Sequence, residues 1–99
     1  MDPLMVELTG RWRDMFVALA RGDDLPPGPR LRTEGLAEAA VCAGIASIQA
    51  LDQTMDQCYR EAFKRSMDED FGADWRNFYP FPEIPAMARR APVYPSTTD

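Results

Sequence analysis

TEGLAEAAVCAGIASIQALDQTMDQCYREAFKRSMD, residues 33–68, is the stretch on which the fold turns. It contains no proline, and the next one is Pro80. Thr33 is a residue type that caps helices, and Glu34 suits the positive end of a helix dipole. With Val41 written as heptad position a, the a residues are Val41, Ile48, Met55 and Ala62. The d residues are then Ala37, Gly44, Leu51 and Cys58, and Ile45 and Tyr59 flank the seam. A repeat of this kind predicts one long helix over about 34–68. Such a helix is roughly 50 Å long, whereas a globule of this size has a radius of gyration of about 13 Å. The helix must therefore break, at Ser47 or Asp68, or pack against another chain. We favour another chain, a homodimer whose interface is Val41, Ile45, Ile48, Met55 and Tyr59. Between 37 and 50 the helix is rich in alanine, with Gly44 and Ser47, which either lets two backbones approach closely or reflects a GC-rich coding bias.

Upstream, Asp2 and Pro3 form a helix start, since proline at the first helical position gives up no hydrogen bond. Leu4, Leu8, Trp12, Met15, Phe16 and Leu19 follow at three- and four-residue spacing, predicting a helix over about 3–21 that Gly22 ends. Residues 22–33 read as a linker, with Pro26, Pro27 and Pro29 as helix blockers. The tripeptide Arg21-Gly22-Asp23 falls on the helix end and reads as a chance match to an integrin-binding sequence.

Downstream, residues 71–99 hold six of the ten aromatics and five of the nine prolines. Proline at that density excludes a regular helix, and the aromatics exclude a merely solvated linker. An extended strap, laying aromatic rings into the groove between the helices, fits both. The expected fold is therefore all-α, one domain over 1–99: a short and a long antiparallel helix with a proline- and aromatic-rich C-terminal strap. Pro82–Pro85 and Pro92–Pro95, near Arg89 and Arg90, have PxxP spacing and carry little weight alone.

The 99 residues are 45% hydrophobic and 27% charged, a globular balance. Sixteen acidic against eleven basic residues give a net charge of −5, with no histidine. An acidic surface is the wrong sign for nucleic acid or an anionic membrane. Without histidine there is no Ser-His or Cys-His dyad and no usual zinc site. No glycine-rich phosphate loop is present, and Asp68-Glu69-Asp70 starts a calcium loop that fails at its later positions. No cofactor, metal or catalytic residue is expected, so the chain does not read as an enzyme. Cys42 and Cys58 would lie roughly 24 Å apart on one helix, too far for a disulfide, and read as two buried thiols. With no cationic n-region after Met1 and no apolar run of about 20 residues, a cytoplasmic protein is expected.

Nine of the acidic residues and three basic ones lie within 33–74. Asp68, Glu69 and Asp70 read as a solvated helix end, and the 52–74 stretch allows an acidic mimic of DNA as one alternative. An accessory subunit of a larger complex, or a helical dimer holding an apolar ligand, are others. The apolar stripes exceed what two helices can hide, which points to a protein that regulates or inhibits another by helix-mediated binding. The partner-binding residues expected are Leu8, Trp12, Phe16, Trp75 and Phe78. A small, acidic, two-helix chain with ten arginines to one lysine resembles the short antiactivators of LuxR-type quorum-sensing regulators. That resemblance implies a partner that is a transcriptional activator, bound so that its dimerisation or its DNA binding is blocked.

Overall fold

A computed structural model of the chain describes residues 2–85, and that region is all-α. Its helices are α1 (Pro3–Ala20), α2 (Pro27–Cys42), α3 (Ile48–Phe63), α4 (Met67–Phe71) and α5 (Trp75–Phe78). Helix α1 has the predicted start and stop. Asp2 accepts from the Leu4 N–H at 2.8 Å, and Gly22, at φ 95°, turns the chain out of the helix. Asp23 N–H then reaches the Ala18 carbonyl at 3.0 Å and Gly22 N–H the Leu19 carbonyl at 2.9 Å, the two bonds of a Schellman cap.

The long helix is divided, and the expected two-helix arrangement is corrected. Gly44, at φ 71°, repeats the device of Gly22, with Ile45 N–H on the Ala40 carbonyl at 2.9 Å and Gly44 N–H on that of Val41 at 3.0 Å. Ser47 then caps α3 by accepting from the Ala50 N–H at 3.1 Å. Stop and start signals three residues apart outweigh a heptad pattern whose d residue at the break is glycine. The break is at one of the two points weighed from the sequence, and it removes the overhang that argued for a second chain.

The linker is also corrected. Helix α2 begins at Pro27, so Pro27 and Pro29 occupy its first turn. There the backbone N–H groups have no helical acceptor, and the fixed proline φ is helical. Thr33 is therefore no cap but a second-turn residue, its hydroxyl donating to the Pro29 carbonyl at 2.9 Å.

Helix α3 stops at Lys64, which adopts the left-handed conformation at φ 63°. Ser66 then opens α4 with a capping box: Ser66 N–H donates to Glu69 Oε1 at 2.8 Å, and Glu69 N–H to Ser66 Oγ at 3.1 Å. Asp68, Glu69 and Asp70 thus lie in the first turn of a new helix, where negative charge is favoured, rather than at the end of an old one.

Helix α1 is the centre of the packing, against α3 most closely and α2 next. Cys58 Sγ contacts the Thr9 carbonyl at 3.7 Å and Arg13 pairs with Glu61 at 3.4 Å, so α1 and α3 run in the same direction. The core includes Leu8, Trp12, Phe16 and Leu19 of α1, Ala37 and Ala40 of α2, and Leu51, Met55, Cys58 and Tyr59 of α3. Met67, Trp75 and Ile84 complete it from the C-terminal side. Residues 71–79 include helical turns, against the expectation of extended chain from Phe71, and residues 79–85 follow without helix. The rest of the expected strap, with Pro92, Tyr94 and Pro95, lies outside the described residues. Among those described, no helix is long and apolar enough to cross a membrane.

Candidate interaction surface

A side chain fully covered by its own chain has no surface left for a partner. Leu8 and Phe16 are 0% exposed and Trp12 2%, so the α1 stripe forms the core and is corrected as a partner site. Met55 at 1% and Tyr59 at 0% are likewise spent within the chain, which removes them from a dimer seam. Trp75 is buried too, its indole N–H donating to Asp68 Oδ1 at 2.9 Å and its ring covered by the Arg76 guanidinium, 4.4 Å from the centroid.

The remaining residues are where an interaction surface must be sought. Phe78, on the short α5, is 69% exposed. Ile45 and Ile48 are 37% and 40% exposed on either side of Ser47, with Val41 half-buried one turn before them. Their position follows from the break: the Schellman cap turns Ile45 outward at the end of α2, and Ile48 begins α3 before its buried face is established at Leu51. The outer face of α2 leading to this corner carries Gly35, Ala39, Cys42 and Ala43, all exposed, together with the exposed Glu38. Cys42 is thus an exposed free thiol, against expectation, while Cys58 is buried. Burial pushes the Cys58 thiol above its usual range, partly opposed by Arg13.

Val6 at 56%, Val17 at 43% and Leu31 at 56% are exposed apolar residues that the sequence reading missed. Val6 and Val17 fall off the α1 stripe, a signal legible from helical spacing. Leu31 was hidden by the placement of its segment in a linker.

Open clefts lie between the helices among the described residues. One of about 330 Å³ is lined by Arg11, Asp14, Met15, Pro29, Arg32 and Thr33. A second, of about 320 Å³, includes Thr9, Gln53, Gln57 and Cys58, and a third, of about 260 Å³, includes Asp52, Asp56, Asp68 and Trp75. The carboxylates of the third are engaged in holding the fold. Asp52 pairs with Arg76, Asp56 accepts from the Met67 N–H at 2.8 Å, and Asp68 holds Trp75. Among the described residues, no group of three or more Cys, Asp or Glu is placed to hold a metal ion. Comparisons with family models, with curated proteins and with solved structures give no match.

Proposed function

We propose that the chain is a small regulator that acts by binding another protein, with Val41, Ile45 and Ile48 at the α2–α3 corner as its docking edge. One observation carries this reading: Ile45 and Ile48 are 37% and 40% exposed, while Leu51 and Met55 further along α3 are each 1% exposed. Neither isoleucine belongs to the core cluster, and Val41 only borders it. Aliphatic surface of this kind, rimmed by the polar outer face of α2, suits a protein partner's apolar side chains. The same edge is what remains of the homodimer seam. The acidic stretch supports this reading over DNA mimicry, because Asp52, Asp56, Glu69 and Asp70 are engaged in caps and bonds within the chain.

The resemblance to antiactivators supplies the target class, a LuxR-type transcriptional activator whose dimerisation or DNA binding is blocked. A gel-shift assay with such a regulator tests it, comparing wild type with an Ile45→Asp/Ile48→Asp double variant. Both sites lie outside the buried core, so the double variant should keep its helicity, each change costing about 1 kcal/mol. Wild type should release the regulator from DNA and the double variant should not. No release by wild type at high micromolar concentration sinks the target class. Equal release by both sinks the docking edge.

A further inference from the structure

Eight arginines lie within residues 2–85, and seven of them are in ion pairs. Arg32 alone has no carboxylate partner among the described residues, in a chain whose acidic residues outnumber its basic ones by 16 to 11. It lines the cleft of about 330 Å³ between α1 and α2. Asp14 of α1 lines the same cleft and has neither an ion pair nor a hydrogen bond among the described residues. One unpaired charge of each sign thus faces this space, one from each helix, and the two do not pair with each other.

The other walls complete a small binding site. Arg11 meets Glu7 through Nε alone, at 2.8 Å, which leaves its two terminal nitrogens available. The Thr33 hydroxyl is spent on the Pro29 carbonyl, so the strong donors of the cleft are guanidinium groups. Met15, 8% exposed, and Pro29 supply apolar surface. The α2 wall is held in place. Glu34, the residue after Thr33, pairs with Arg30 at 3.3 Å and accepts from the Ile84 N–H at 3.3 Å. Ile84 is 3% exposed and Pro85 is fully buried, and Arg76, paired with Asp52 of α3, donates to the Glu83 carbonyl at 2.8 Å. The C-terminal segment therefore ties α2 to α3. The cleft is at the small end of ligand sites, which run from about 300 to 1,000 Å³.

Charge selects the occupant. A simple anion would gain guanidinium donors but meet the Asp14 carboxylate, and a simple cation would gain Asp14 but meet two guanidiniums. Like charges so placed are costly, whereas a molecule bearing both charges on neighbouring atoms avoids both conflicts. We propose that this cleft binds a free α-amino acid with an aliphatic side chain. Its carboxylate lies on Arg32 and the terminal nitrogens of Arg11, a geometry that the planar guanidinium fork matches. Its ammonium lies on Asp14 and its side chain over Met15 and Pro29. The site is in the first turns of α2, whereas the Ile45–Ile48 corner follows the last, and neither depends on the other.

L-Leucine is the probe, titrated into the isotope-labelled full chain and followed by amide NMR shifts. Saturable shifts are expected at Asp14, Met15, Arg32 and Thr33, with a dissociation constant of the order of a millimolar or below. Isocaproate, which lacks the ammonium, and isoamylamine, which lacks the carboxylate, should each bind roughly tenfold or more weakly. Arg32→Gln should weaken leucine by a similar factor. Asp14→Asn should weaken leucine too, yet leave isocaproate unchanged or tighter. Both positions are exposed, and the comparison of the three ligands on wild type needs no variant. Shifts still rising linearly at about 10 mM leucine overturn the proposal. Isocaproate or inorganic phosphate binding as well as leucine would make this a plain anion site and overturn the amino-acid reading. Leucine binding unchanged in both variants would place it elsewhere on the chain, with the same consequence.

Discussion

Tyr59 has no exposed surface yet carries a hydroxyl, and its neighbours show how the core accommodates both. Phe16 meets its ring edge-on at 5.2 Å, Phe63 stacks on it at 4.3 Å, and Phe71 lies tilted at 5.6 Å. The hydroxyl donates to Asp70 Oδ2 at 2.7 Å, and Arg65 holds the other oxygen of that carboxylate. Asp70 is only 2% exposed, so losing the phenol leaves a buried charge short of a donor. Tyr59→Phe should therefore cost about 1.5–3 kcal/mol, although it removes a single atom. An unchanged urea midpoint would refute this. The apolar stripes foretold that Tyr59, Leu8, Trp12 and Phe16 would be covered, because spacing selects a face. Spacing does not say which chain covers it, so a core stripe and a partner-binding stripe look alike in sequence. Asp70 was beyond reach, since nothing in an acidic triplet distinguishes the member that turns inward.

At the scale of elements, local terminators decided the outcome. Gly22 and Gly44 make the same cap, but only the first was legible, because it was followed by prolines and the second by more helix-forming residues. The prolines cut both ways: a proline bars a helix interior but suits a first turn, where Pro27 and Pro29 stand. The α4 capping box carries a pH signature. The Ser66 N–H bond, aided by the Ser66 hydroxyl, holds the Glu69 carboxyl below its ordinary value. A carboxyl with a lowered folded pKa stabilises fully above its unfolded value, about 4.3, and loses that contribution as pH falls through the folded one. Glu69→Gln should therefore melt below wild type at neutral pH, and the gap should narrow as pH falls below about 4.3. A gap independent of pH would mean that the charge contributes nothing.

For the whole molecule, the sequence indicated an all-α fold and an apolar excess, and α1 at the centre of three longer helices explains where most of that excess goes. What sequence could not convey is that α2 and α3 are joined through a segment remote from both. Glu34 and Ile84 are 50 residues apart, and closing so long a loop adds entropy cost before its contacts reward it. These contacts should form after the folding transition state. Ile84→Ala, costing about 2 kcal/mol or more, should then raise the unfolding rate and leave the folding rate nearly unchanged in stopped-flow traces. Slowed folding instead would place the segment in the nucleus.

The same separation has a meaning in time during synthesis. A ribosome adding 5–20 residues per second makes Ile84 roughly 3–10 s after Glu34. For that interval the nascent chain carries a Glu34 carboxylate whose backbone donor has not yet been made.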